Sequence, residues 1–199
     1  MFSMLAAAAF TAAAQEDAAP AGQISCMRCE HLDSPLGIDS AEPRLSWRLP
    51  DGISKQTGYY VVVGTDSAAV ASGEGEYWNS GIVQSDDILV RYGGKSLEPF
   101  TRYFWKVTAW DENQNTMESS VAHFETGMMD AGNWQGCWIS DSHDREYKPA
   151  PYFRKGFSLG KKVESARAYI AVGGLYELYI NGERIGDHRL DPMYTRYDR

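Results

Sequence analysis

Two groups of residues in this sequence have types and spacings suited to chemistry: a cysteine pair and several clustered carboxylates. Cys26-Met27-Arg28-Cys29 has the spacing of a dithiol redox centre or of half a zinc site. A zinc ion would need two further ligands. The histidines on offer, His123, His143 and His188, are scattered, and no second Cys-x-x-Cys follows. His31 stands one place too far along for haem attachment. The expectation is one packed cysteine plus one optional disulfide, with no metal and no cofactor. Asp86-Asp87, Asp141/Asp144/Glu146 and Glu177 are possible carboxylate pairs for general acid–base work. Each falls on a predicted turn, connector or exposed strand face, where carboxylates are mostly solvated surface. There is no Gly-x-Ser-x-Gly elbow and no phosphate-binding glycine loop. No catalytic, cofactor-binding or metal residue is therefore assigned. Trp110, Trp134 and Tyr194 could stack on sugar faces, but core or interdomain packing is the favoured reading, because buried aromatics dominate core energetics.

The elements that would position such residues are strands. In residues 103–111, Tyr103, Trp105, Val107 and Ala109 fall on one face at two-residue steps, and Phe104, Lys106, Thr108 and Trp110 on the other. The first set is continuous apolar bulk, which predicts an inward-facing side. Leu97, Pro99 and Thr101 lead into Tyr103, whose hydroxyl is placed to turn back onto the upstream backbone as a tyrosine corner. In residues 43–49, Leu45, Trp47 and Leu49 share a face, predicting a half-buried strand with its Trp in the core. Residues 56–64 are β-branched and aromatic, the composition of a central strand. Residues 29–32 are expected to form a first strand, Leu89, Val90 and Tyr92 a short one, Asn113-Gln114-Asn115 a hairpin turn, and 121–126 the closing strand. These strands predict an all-β, two-sheet sandwich over residues 24–127, and the 97–111 pattern resembles the strand F region of a fibronectin type III/immunoglobulin-like domain.

Residues 128–150 are expected as a connector whose Trp134 and Trp138 pack on a neighbouring domain. Pro149-Ala150-Pro151 then marks a boundary. From residue 151 to 199 the chain is strand-rich, over 152–159, 166–172 and 176–180, and Asn181-Gly182 is a hairpin signal. This stretch is too short for the eight strands of a jelly roll, so an incomplete, truncated jelly-roll-like β-domain is expected. At the other end, the apolar run 5–10 followed by Ala12-x-Ala14 predicts an export signal over 1–14, although Met1-Phe2-Ser3-Met4 carries no Lys or Arg. Residues 15–23 have linker composition. The protein is expected to be secreted or periplasmic. Its net charge of −8 argues against nucleic acid or an anionic membrane as partner.

Several stretches in order resemble bacterial alpha-L-rhamnosidases: Cys29-Glu-His-Leu-Asp-Ser-Pro-Leu-Gly-Ile-Asp39, Pro43-Arg-Leu-Ser-Trp-Arg48, residues 103–111 and Phe124-Glu-Thr-Gly127. In the second segment the resemblance continues through Tyr152-Phe-Arg-Lys155, Ala166-Arg167, Tyr176-Glu-Leu-Tyr-Ile-Asn-Gly182, Gly186-Asp187, Leu190-Asp-Pro192 and Tyr197. It implies a fibronectin-like sandwich, a jelly-roll domain, an (α/α)6 barrel and a C-terminal β-domain. The barrel would carry the carboxylates that remove terminal alpha-L-rhamnose with inversion, one as acid and one as base for water. This sequence holds no barrel, so no catalytic residue is carried over and the fragment is expected to be inactive alone. Met193-Tyr194-Thr195-Arg196-Tyr197 departs from the family's Gly-Trp-Thr-Asp-Tyr-like run and lacks its Gly. The implied role is the N-terminal, non-catalytic part of a secreted rhamnosidase, its partner a rhamnose-containing carbohydrate. The alternatives are a free-standing carbohydrate-binding or adhesion module, and a spacer without ligand.

Overall fold

The computed structural model describes residues 22–142, 146, 150–163 and 166–187. The expected export segment, most of the 15–23 linker, and His143, Asp144, His188 and Tyr194 lie outside the described residues. The chain divides into two compact units, one ending at Trp138 and the other beginning at Ile139.

The first unit is a two-sheet sandwich. One sheet has the order β1 (Ser25–Cys29), β2 (Arg44–Arg48), β5 (Leu89–Arg91), all antiparallel. The other runs β4 (Trp78–Asn79), β3 (Gln56–Gly64), β6 (Arg102–Asp111), with β7 (Thr116–Glu118) and β8 (Ala122–Glu125) sharing the far edge of β6. The long antiparallel pair β3–β6 is the spine, in register from Gly64 opposite Phe104 to Gly58 opposite Trp110.

The alternation in β6 decides its faces as expected. Tyr103, Trp105, Val107 and Ala109 are all fully buried, and each large side chain so placed is worth roughly 1.5–3 kcal/mol of transfer free energy. Leu45 and Trp47 of β2 meet them from the opposite sheet as part of one core cluster. The tyrosine corner forms: the Glu98 N–H donates to the Tyr103 hydroxyl at 2.8 Å. A second tie crosses between the sheets. Gln56, fully buried, accepts from Trp47 Nε1 at 3.0 Å and donates through Nε2 to the Asp87 carbonyl at 2.7 Å. Trp47 also meets Tyr59 edge-on, with ring centroids 5.6 Å apart.

The first strand differs from expectation. It is Ser25–Cys29, and residues 29–32 form the turn that ends it, with Glu30 and His31 both at positive φ. The reason lies in Glu30, whose carboxylate accepts from the Arg44 backbone N–H at 2.6 Å and from its guanidinium at 2.6 and 3.1 Å. Between β3 and β4 stands a short helix, α1 (Ser67–Ala71), capped by Asp66, whose carboxylate accepts from the N–H groups of Ala68 and Ala69. It buries Val70 completely.

In the second unit, the Asn181-Gly182 hairpin is present. It joins β9 (Tyr179–Ile180) to β10 (Glu183–Arg184), with both turn residues at positive φ. The strands expected over 152–159 and 166–172 do not form ladders among the described residues. A strand exists only where a neighbour takes its N–H and C=O groups, and composition cannot supply that neighbour. Tyr152 is 100% exposed there and Phe157 72%.

Candidate functional site

The cysteine pair is split by its strand. Cys29 faces the core, and burial raises its thiol pKa to about 12, so it is a thiol held far from the reactive thiolate form. Cys26 is exposed, at positive φ and beside a register shift in β1. All three cysteines, Cys137 included, carry free thiols. Among the described residues no group of three or more His, Cys, Asp or Glu side chains is placed to hold a metal ion.

The carboxylates singled out by type are tied to local structure. Asp86 pairs with Lys55 at 3.3 Å, and Asp87 accepts from the Ser85 hydroxyl at 2.7 Å. Glu177 accepts from the Tyr179 hydroxyl at 2.8 Å, an interaction that raises the phenol's pKa. Asp141 and Glu146 lie exposed in the second unit. One acidic side chain outside those clusters has a developed environment. Asp111 ends β6 and collects the Asn113 and Asn115 N–H groups and the Asn115 side-chain amide, each at 2.8 Å. The Asn115 amide, followed by the backbone donors, holds its pKa below the ordinary value. Its role is to lock the β6–β7 hairpin.

The aromatic candidates separate. Trp134 and Trp138 are both exposed, Trp138 at 77%. Trp110 lies half-buried on the outer face of the β3–β6 pair, directly across from Gly58. There it borders a surface recess of about 210 Å³ lined by Thr57, Gly58, Ile82, Gln84, Trp110 and Gln114. Gly58 lies at its base: a Cβ there would stand 3.1 Å from the Val83 carbonyl oxygen, 3.5 Å from Gln84 Nε2 and 3.7 Å from Trp110 Cε3. Gln114 is presented by the Asp111 hairpin turn, at a φ of +63°. Gln84 arrives by another route. After β4 the chain keeps pairing along β3, with Tyr59 and Val83 exchanging two hydrogen bonds at 2.9 Å each. The alternation of β6 put Trp110 on the outer face in advance. Nothing local announced that Gln84 would come to lie beside it.

Comparison with known proteins places this architecture. The family described as Rha78A-like, N-terminal immunoglobulin domain matches residues 24–130. The chain belongs to this family. A second family, the alpha-L-rhamnosidase N-terminal domain, matches residues 161–199. Among curated relatives, an alpha-L-rhamnosidase of Formosa agariphila is 35% identical over 192 residues, covering 83% of this chain and 20% of the relative. One from Streptomyces avermitilis is 42% identical over 182 residues, covering 78% and 18%. The solved alpha-L-rhamnosidase from Dictyoglumus thermophilum superposes with a TM-score of 0.72 at 36% identity, over 85% of this chain and 21% of that one. The chain thus spans about a fifth of the length of the curated rhamnosidases it matches. The immunoglobulin-like sandwich corresponds to the N-terminal domain of that family, and within it the tyrosine corner and the Trp47–Gln56 tie join the strands and the two sheets.

Proposed function

We propose that this chain serves as the N-terminal, non-catalytic part of an exported alpha-L-rhamnosidase that removes terminal alpha-L-rhamnose from glycans or glycosides. The single observation that carries the reading is the collinear match of both segments to rhamnosidase N-terminal regions, at 35% identity over 83% of the chain. The described carboxylates support the non-catalytic part, since Asp86, Asp87, Asp111 and Glu177 each serve a local contact. Inverting hydrolysis instead needs an acid and a base facing each other across roughly 6.5–9.5 Å. Export is supported by the apolar run at 5–10 and the small residues Ala12 and Ala14. The sandwich would act as a rigid mount for the hydrolytic domain, a task that needs buried area and not a reactive group.

The test is the intact mass and activity of the native protein captured from its source through residues 24–127. A mass several times 22.2 kDa, with rhamnose released from an aryl rhamnoside, is the expected result. A mass near that of the chain, with no hydrolysis, would sink the proposal. Release of rhamnose by the purified chain alone would sink its non-catalytic part.

A further inference from the structure

Mounting a hydrolytic domain does not call for the recess beside Trp110. A strand's solvent face normally carries polar groups, yet β6 presents an indole there, opposite Gly58, over which the Val83 carbonyl, the Gln84 amide and the indole itself converge. The surrounding donors and acceptors are uncommitted. Among the described residues, neither the Gln84 nor the Gln114 side-chain amide makes a hydrogen bond, and neither does the Trp110 indole N–H. Thr57, by contrast, is spent on the sheet, donating to the Trp110 and Asp111 carbonyls at 3.3 and 3.0 Å. Ile82 stands beside them 65% exposed, and none of the six lining residues is charged.

These features select a ligand class. An aromatic surface takes the C–H face of a ring, and each free amide offers two N–H donors and a two-lone-pair acceptor. Neighbouring hydroxyls on a saturated ring present the same alternation of donor and acceptor. The absence of charge in the lining disfavours uronic acids and sulfated sugars. The volume, about 210 Å³, falls below the roughly 300–1,000 Å³ of drug-sized sites and suits one ring. We propose that the recess formed by Trp110, Gln84, Gln114 and Ile82 is a binding site for a single neutral pyranose. The ring stacks on Trp110, its hydroxyls are held by the two glutamine amides, and Ile82 covers a C–H edge. Binding is a property of the chain itself and is measured without hydrolysis, so its failure and the failure of the rhamnosidase reading are separable.

The experiment titrates the complete 199-residue chain with methyl α-L-rhamnopyranoside and follows the indole and side-chain amide signals by 15N NMR. The expected result is a saturable shift confined to the Trp110 indole and the Gln84 and Gln114 amides, with a Kd on the order of millimolar, as one shallow ring-sized contact allows. No saturable shift, or shifts spread evenly over the surface, overturns the proposal. Trp110→Ala should abolish binding, but it also uncovers Gly58. Gln84→Ala and Gln114→Ala therefore carry the decision. Neither side chain has an internal partner to lose, so each should weaken binding about 2- to 12-fold with an unchanged Tm. Undiminished binding in both variants overturns the assignment.

Discussion

Gln56 ties the two sheets through a buried side chain. Both of its ends are occupied, one by Trp47 and one by the Asp87 carbonyl. Gln56→Leu would keep the volume but orphan a buried indole N–H and a carbonyl. We expect a loss of about 2–6 kcal/mol, read by urea denaturation, because each of the two unsatisfied buried groups costs roughly 1–3 kcal/mol. A change under about 0.5 kcal/mol, the scale of an ordinary surface substitution, would show the tie to be incidental. Trp105 makes the instructive contrast. It is as buried as Trp47, but among the described residues its Nε1 has no partner. Trp105→Phe discards an uncompensated donor, whereas Trp47→Phe strands Gln56. The second should therefore be the more damaging in the same assay, and the reverse order would contradict this account.

At the scale of elements, one carboxylate reinforces the backbone pairing that closes the β6–β7 hairpin. Asp111 has a depressed pKa in the folded state because Asn115 and the backbone N–H groups favour its charged form. A depressed folded pKa means that the unfolded state takes up the proton first. The stabilisation is thus present above the unfolded value, about 3.9, and is lost as pH falls through the lower folded value. Glu30 acts with the same sign, held down chiefly by the Arg44 side-chain hydrogen bond. Stability should fall as the pH drops below about 4, and Asn115→Ala should flatten that slope. An unchanged slope would assign the acid sensitivity elsewhere. The helix α1 has its own dependence on a carboxylate. Asp66→Ala removes its N-cap and should cost about 1 kcal/mol, measured as a shift in the denaturation midpoint.

For the molecule as a whole, the two units differ in how their apolar side chains are spent. In the first, β3 and β6 bury nearly every inward residue. In the second, Tyr152, Phe153, Phe157 and Leu159 are exposed, and the β9–β10 pair is the one ladder among the described residues. Amide exchange should therefore be slow along 103–109 and fast along 152–159. Slow exchange over 152–159 would mean that those residues are paired after all. Exposed apolar surface of this kind also favours association, so residues 22–138 by themselves should have the higher solubility limit, measured against the whole chain in the same buffer.

Read residue by residue, the sequence determined whatever depends on period and local chemistry. Alternation assigned both faces of β6 and the core face of β2, and residues 97–103 carried the tyrosine corner. Asn181-Gly182 and Asn113-Gln114-Asn115 marked turns that do form. Those signals are legible because a two-residue period and a positive-φ turn are written in neighbouring positions. Only the tertiary structure decided that the first strand ends at Cys29, because the Glu30–Arg44 contact that bends the chain joins residues 14 apart. The same holds for Gln56, whose partners Trp47 and Asp87 lie 9 and 31 positions away. It holds most of all for the recess, where Gln84 and Gln114 arrive beside Trp110 on separate elements. Hydrogen-bond partners and burial are set by which strands become neighbours, and that is a property of the packed sandwich that no local window of residues contains.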